Sequence, residues 1–433
     1  MSDERPVPAA NAAASGERDE DLARYETANR AQVELTPIDL EALLPPGHMA
    51  RLVWRFVEGL DLHQFYAAIR AREGTPGRPA IDPKILIALW LYATIDGVGS
   101  AREVDRLCYS EDAYRWLRGG VSVNYHTLSD FRVRQAAALD DLLTQSIASL
   151  RHRGVVTLAR VAQDGTRVRA SAGLGSFRRD GTLRDCLREA ERLVARTKRQ
   201  QDGGVTPGAA AQARAAADRL ARVDEALAEL PAVAAVKQRR GAPSAARAST
   251  TDPEARIMKM SDGGYRPAYN VQLATDQASD VIVGVAVSNV GSDHGALIPM
   301  LDQIEHRTGT MPTTVLVDGG YISHAVVDET TARGVQLVAP PPRRPGLRTP
   351  PPVQRGDSLA VALWRVRMQD PEMQALYRQR GAIAERRHAD ALTHRTLRHL
   401  LVRGLPKVHT WALWIALAHN LVRTMDIVPH LMR

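Results

Sequence analysis

The chain has 433 residues, 44% of them hydrophobic and 24% charged, a globular mix that excludes a fibrous or wholly disordered protein and predicts two or three domains. Its longest apolar run, Ile85–Ala93, has nine residues, where a bilayer span needs roughly 20, so no transmembrane segment is expected. Lys and Arg (57) outnumber Asp and Glu (49) for a net charge of +8, which points to a polyanionic partner, nucleic acid first, although only five of those bases are Lys and an Arg-rich coding bias yields the same charge.

Residues 1–35 hold eight acids and four bases with no sustained apolar period, and read as a disordered acidic tail. The opening MSDERPVPAA lacks the basic-then-apolar order of a secretory signal, and two cysteines, Cys108 and Cys186, cannot make a disulfide framework or a zinc knuckle, so a cytoplasmic protein is expected. Leu52, Val53, Phe56, Val57 and Leu60 recur at helical spacing. Asp82-Pro83 is a helix start with proline first, and Ile85–Tyr92 predicts a buried helix. Helices are also predicted over 101–107, 113–117 and from Thr127 to Leu150, with Thr127 or Ser129 as the cap of the last. Residues 36–150 therefore read as an all-helical domain.

The pattern then changes. Val155–Ala162 predicts a strand running up to Asp164, and residues 267–276 and 281–288 predict two strands around a turn. Helices are expected over 294–307, with Asp293 as cap, and over 322–333, stopped by Gly334. Strands are expected at 313–317, ending at Asp318, and at 335–339. A loop with seven prolines in thirteen residues (340–352) precedes C-terminal helices over 357–425. The order predicts an α/β domain over 151–433: a mixed sheet flanked by helices. Its long insertion, 174–262, carries two helical stretches that predict an antiparallel hairpin.

No phosphate-binding loop, GxSxG elbow or HExxH motif is present. His388, His394 and His399 do not align on one helix face and read as solvent-facing or phosphate-contacting residues. The informative signal is the carboxylates. Asp164 precedes Gly165, and Asp318 precedes Gly319-Gly320, each behind an apolar strand. The carboxyl ends of strands are where α/β sheets place ligands, and two adjacent carboxylates call for a cation between them. The plainer alternative makes each a turn residue, since Asp-Gly is common in turns. Glu385, on a helix among Tyr377, Arg378, Arg380, Arg386 and Arg387, is either a solvated, salt-bridged face or a third ligand whose neighbouring arginines hold a phosphate backbone.

These segments resemble the bacterial insertion-sequence transposases of the DDE type, with an RNase H-like catalytic domain, and within the IS-four/IS-five assemblage the group numbered eleven-eighty-two. The resemblance is carried in order by GRPAIDPKILIALWLYATIDGVGSAREVDRLC, NYHTLSDFR, QDGTRVRASAG, STTDPEARIM, YNVQLATD, VDGGYIS, YRQRGAIAERR and LVRGLPKVHTWALWIALAHNLVR, spanning about residues 36 to 425. It implies Asp164, Asp318 and Glu385 as the catalytic triad. It also implies an N-terminal helical domain that helps bind the element's terminal repeats, double-stranded DNA as partner, and a homodimer or larger assembly on it. The cofactor would be Mg²⁺ or Mn²⁺, with two ions ~3.5–4 Å apart activating water and then a DNA 3′-hydroxyl. Asp164 would bridge the ions. Two positions depart from the family: Leu392 and Gly381 stand where it often has basic residues. Hence a decayed, DNA-binding repressor is the competing reading, and a plain RNase H-like nuclease a third.

Overall fold

The computed structural model describes residues 37–71, 79–202, 208–239, 241, 246–342 and 353–428, with the backbone alone at 201–202 and 382–387. The acidic stretch 1–35 and most of the proline-rich loop lie outside the described residues. Helices fill the N-terminal region: α1 (Met49–Glu58), α2 (His63–Ala67), α3 (Pro83–Ile95), α4 (Ala101–Ser110), α5 (Asp112–Arg118), α6 (Tyr125–Arg134) and α7 (Ala136–His152). Asp82 caps α3, accepting from Lys84 N at 2.9 Å, and Pro83 opens it. Every residue from Ile85 to Leu91 is buried, as for a helix apolar on all sides. The cap of α6 is Asn124, which accepts from Thr127 N at 3.0 Å, rather than Thr127 or Ser129. An Asn in extended backbone before the first turn satisfies the free N–H groups sooner than either hydroxyl can.

The sheet follows. It comprises β1 (Arg160–Arg169), β4 (Arg256–Lys259), β5 (Tyr265–Asp276), β6 (Ile282–Ser288), β7 (Thr314–Leu316) and β8 (Gln336–Val338), in the order β4-β5-β1-β7-β8. The long β5 runs antiparallel to β1 on one side, and on the other pairs with β4 and then β6. β7 joins β1 in parallel, and β8 joins β7 in parallel. From Pro267 to Asp276 every residue of β5 is buried, so both faces are covered. The covering helices are α10 (Leu297–Thr308), α11 (His324–Ala332), α12 (Leu359–Arg367), α13 (Pro371–Thr393) and α14 (Leu405–Ile427). This is the mixed, RNase H-like architecture.

The insertion is a hairpin of α8 (Asp180–Asp202) and α9 (Ala209–Gln238), closed at its root by a small ribbon of β2 (Phe177–Arg178) and β3 (Ala248–Ser249). Leu183 packs with Ala226 and Leu230 between the helices. The range 174–262 read as insertion also contains β4, a four-residue edge strand too short to show a period.

Leu40–Arg433 forms one compact unit. Its main apolar core runs from α1–α7 through α14 to β5 and β6. α14, buried from Thr410 to Leu421, binds β6 directly. Asn420 accepts from Ile282 N and donates to Ile282 O, both at 2.8 Å. Arg132 of α6, 5% exposed, lies between the rings of Trp90 and Trp411, at 4.5 and 4.3 Å from their centroids.

Candidate active site

β1 and β7 pair only at Arg160–Ala162 against Thr314–Leu316. Asp164 and Asp318 each stand two residues past the last of these pairs, so the register carries the two carboxylates level with one another. Asp164 is not at a strand end, contrary to the sequence reading. β1 continues to Arg169 because antiparallel β5 keeps it extended, with Asp164 opposite Leu273 and Gly165 opposite Gln272. The start of β1 also moves, from Val155 to Arg160. Asp318 does leave its strand. It caps the turn Gly319–Tyr321, its Oδ1 accepting from Gly320 N at 2.7 Å, so a turn role and a level position coexist.

α13 packs against β1, β5 and β8. Asp370 caps it, accepting from Glu372 N at 2.8 Å, and Pro371 opens it. Arg380 reaches from α13 to Asp164, with Nη1 3.3 Å from Oδ2, and its guanidinium lies 5.7 Å from the Tyr377 ring centroid. Burial works against the Arg380 charge, but Asp164, and after it Tyr377 and Asp318, outweigh burial and raise its pKa. Tyr377 is half-buried, and Arg378 is exposed, donating from Nε to Gln374 O at 3.3 Å. Glu385, Arg386 and Arg387 lie in the helix, but their side chains are outside the described residues. Leu392 is half-buried against the main core, which accounts for an apolar residue there.

His388 is a correction: it is 7% exposed, not solvent-facing. Burial lowers its pKa, opposed by the charge of Asp164 and by a backbone hydrogen bond with that residue. The signal was available in the spacing, since His388 follows Glu385 by three residues and helical neighbours three apart share a face. His394 and His399 are exposed.

Successive residues of a strand face opposite sides, so Gly165 turns away from the Asp164 side. There it meets a buried polar network that sequence reasoning missed. Asp293, expected as a helix cap, is replaced in that position by Ala296 and points inward instead. Its Oδ1 accepts from Asn270 Nδ2 at 2.8 Å and Gln272 Nε2 at 2.7 Å, and its Oδ2 from Arg167 Nη2 at 3.1 Å. Gln163 Nε2 donates to Gln272 Oε1 at 3.1 Å, and the Tyr321 hydroxyl donates to the same oxygen. Burial, then the charges of Asp293, Asp164 and Asp318, raises the pKa of Tyr321 and keeps it a donor.

Among the described residues no group of three or more His, Cys, Asp and Glu could hold a metal ion. The two aspartates nonetheless offer hard oxygen donors from neighbouring strands, the donor type that divalent ions such as Mg²⁺ take. No described helix is long and apolar enough to cross a membrane.

The fold defines the class, an RNase H-like domain, and comparison with known families makes it a transposase. Two family models match the chain, one described as a transposase DDE domain over residues 238–421 and one as a transposase domain (DUF772) over residues 38–134. Together the two matches indicate an insertion-sequence DDE transposase. That domain implies metal-dependent DNA cleavage and strand transfer, and DDE transposases generally use divalent metal ions. Asp164 falls between the two matched spans, whereas Asp318 and Glu385 fall within the first. No curated protein and no solved structure matches.

Proposed function

We propose that Asp164, Asp318 and Glu385 form the metal-binding triad of this transposase, holding two Mg²⁺ ions (Mn²⁺ substituting). The supporting observation is the β1–β7 register, which leaves Asp164 and Asp318 level two residues past their last shared pair. Bound ions would supply Lewis-acid activation of a water or 3′-hydroxyl and stabilise the leaving oxygen. Asp164 and Asp318 orient that chemistry from the sheet. Tyr377, Arg378, Arg380, Arg386 and Arg387 hold the DNA backbone along α13, and helices over 36–150 read the terminal repeats. The chain acts as a homodimer or larger assembly on DNA, in the bacterial cytoplasm, and belongs to group eleven-eighty-two.

The second reading, a decayed relative that binds element ends and represses, draws on the Arg380–Asp164 ion pair, which neutralises the first ligand from within the chain. Under the first reading this cation balances two like carboxylates before DNA and metal arrive.

The experiment is Mg²⁺-dependent cleavage of a labelled end fragment beside a gel shift on the same DNA. Asp318→Asn keeps the side-chain size and removes a negative ligand. Cleavage should collapse while end binding, which rests on Arg–phosphate contacts, persists. Near wild-type cleavage by this variant would reject the triad. Loss of binding and cleavage together would make Asp318 a turn residue only, and wild-type protein that binds without cleaving would favour the repressor.

A further inference from the structure

The turn bearing Asp318 is weakly held by its own backbone. Tyr321 N to Asp318 O spans 3.4 Å and Ile322 N to Gly319 O spans 3.3 Å, and two glycines follow the aspartate. Tyr321, 0% exposed, is the anchor of that turn, and its hydroxyl reaches Gln272 of β5. Gln272 stands opposite Gly165 in the ladder, next to Asp164. A Cβ at Gly165 would lie 2.1 Å from Gln272 Nε2 and 2.3 Å from Asp293 Oδ1, so the strand carrying Asp164 seats directly on this amide. One buried side chain therefore touches the turn of one aspartate and the strand of the other.

We propose that Tyr321 and Gln272 are positioning residues that set the separation of the Asp164 and Asp318 carboxylates for a shared divalent ion. This rests on the reading of those aspartates as metal ligands. Gln272 can serve because its two ends face opposite demands. Oε1 takes the Tyr321 proton, while Nε2 is fixed by Asp293, whose charge is in turn held by Asn270 and Arg167. The amide cannot turn over without placing its NH₂ against the Tyr321 hydroxyl and its oxygen against a carboxylate. The Tyr321 tie thus has one orientation, and Asp318 inherits it through a three-residue turn.

The test is Mn²⁺ titration of the full-length protein by calorimetry, with Tyr321→Phe, Gln272→Asn, Gln163→Met and Asp318→Asn. Circular dichroism melting checks that each is folded. Tyr321→Phe keeps the ring and loses the tie, so its Mn²⁺ affinity should fall about 10-fold, the lower range for losing a group that orients a metal ligand. Cleavage should recover at saturating Mg²⁺, and the gel shift on end DNA should not move. Gln272→Asn, one methylene shorter, should match Tyr321→Phe and serves if that variant fails to fold. Gln163 donates to the same oxygen without touching the turn, so Gln163→Met, which loses that bond and leaves the Tyr321 tie, should keep wild-type affinity. The inference alone falls if Tyr321→Phe binds Mn²⁺ like wild type while Asp318→Asn does not. It also falls if Tyr321→Phe loses cleavage at every Mg²⁺ concentration with its Mn²⁺ affinity intact. If Asp318→Asn itself binds like wild type, the metal-ligand reading fails and takes this inference with it.

Discussion

Asp390 of α13 shows how a single carboxylate can carry pH dependence. Burial alone would raise its pKa, but a hydrogen bond from His419 and the charge of Arg395, 2.8 Å away, hold it at about 2. An unfolded aspartate titrates near ~3.9. The folded value is depressed, so the stabilisation is complete above that pH and is lost as pH falls toward 2. The side chain is 26% exposed, and after screening its worth is about 1 kcal/mol. Asp390→Asn should therefore lower the urea midpoint at pH 6, and the difference from wild type should shrink between pH 4 and 2.5. A difference independent of pH would place the effect in packing. At this scale the sequence was legible where the chain's own bonding decides: Asp318 before two glycines is a turn cap, and Gly334 has a φ of 73°. It was illegible where a distant element decides, as with the inward turn of Asp293 toward Asn270 and Gln272.

Elements were read well where period and punctuation agree. The β5–β6 hairpin, α10, α11 and β8 lie within a few residues of expectation, since each is bounded by Gly, Pro or Asp and has an apolar repeat. The misplaced features have a common cause. β4 exists because β5 offers it an edge, and β1 extends through Asp164 because β5 continues beside it. Strand length is set by the partner, which a linear reading does not contain. The same dependence marks α14, whose Asn420 satisfies both backbone groups of Ile282. Replacing it with Ala leaves a buried N–H and C=O unpaired, each costing about 1–3 kcal/mol. Asn420→Ala should destabilise by about 2–4 kcal/mol in urea unfolding, and the Ile282 amide should lose hydrogen-exchange protection ahead of its neighbours on β5. Unchanged exchange at Ile282 would show that water or a shifted side chain takes over both bonds.

Over the whole molecule the charge is segregated. Residues 1–35 carry a net −4, leaving +12 on the other 398. DNA affinity scales with phosphates neutralised, so removing residues 1–35 should leave end binding intact or tighten it and steepen its salt dependence. A large loss of specific binding on truncation would make that stretch part of the reading surface.

One helix also constrains how such an element can diversify. α14 fills the space between the N-terminal helices and the sheet, giving Trp411 to the Arg132 clamp at one end and Asn420 to β6 further along. Neither side owns a complete interior without it. The helices proposed to read terminal repeats are therefore not an interchangeable cassette. A chimera joining residues 36–150 of one relative to the sheet of another would inherit a mismatched seam along α14. Under the proposal that these helices read the terminal repeats, new end specificity would come by substitution on the outer faces of α1–α7, with the shared interior left as it is.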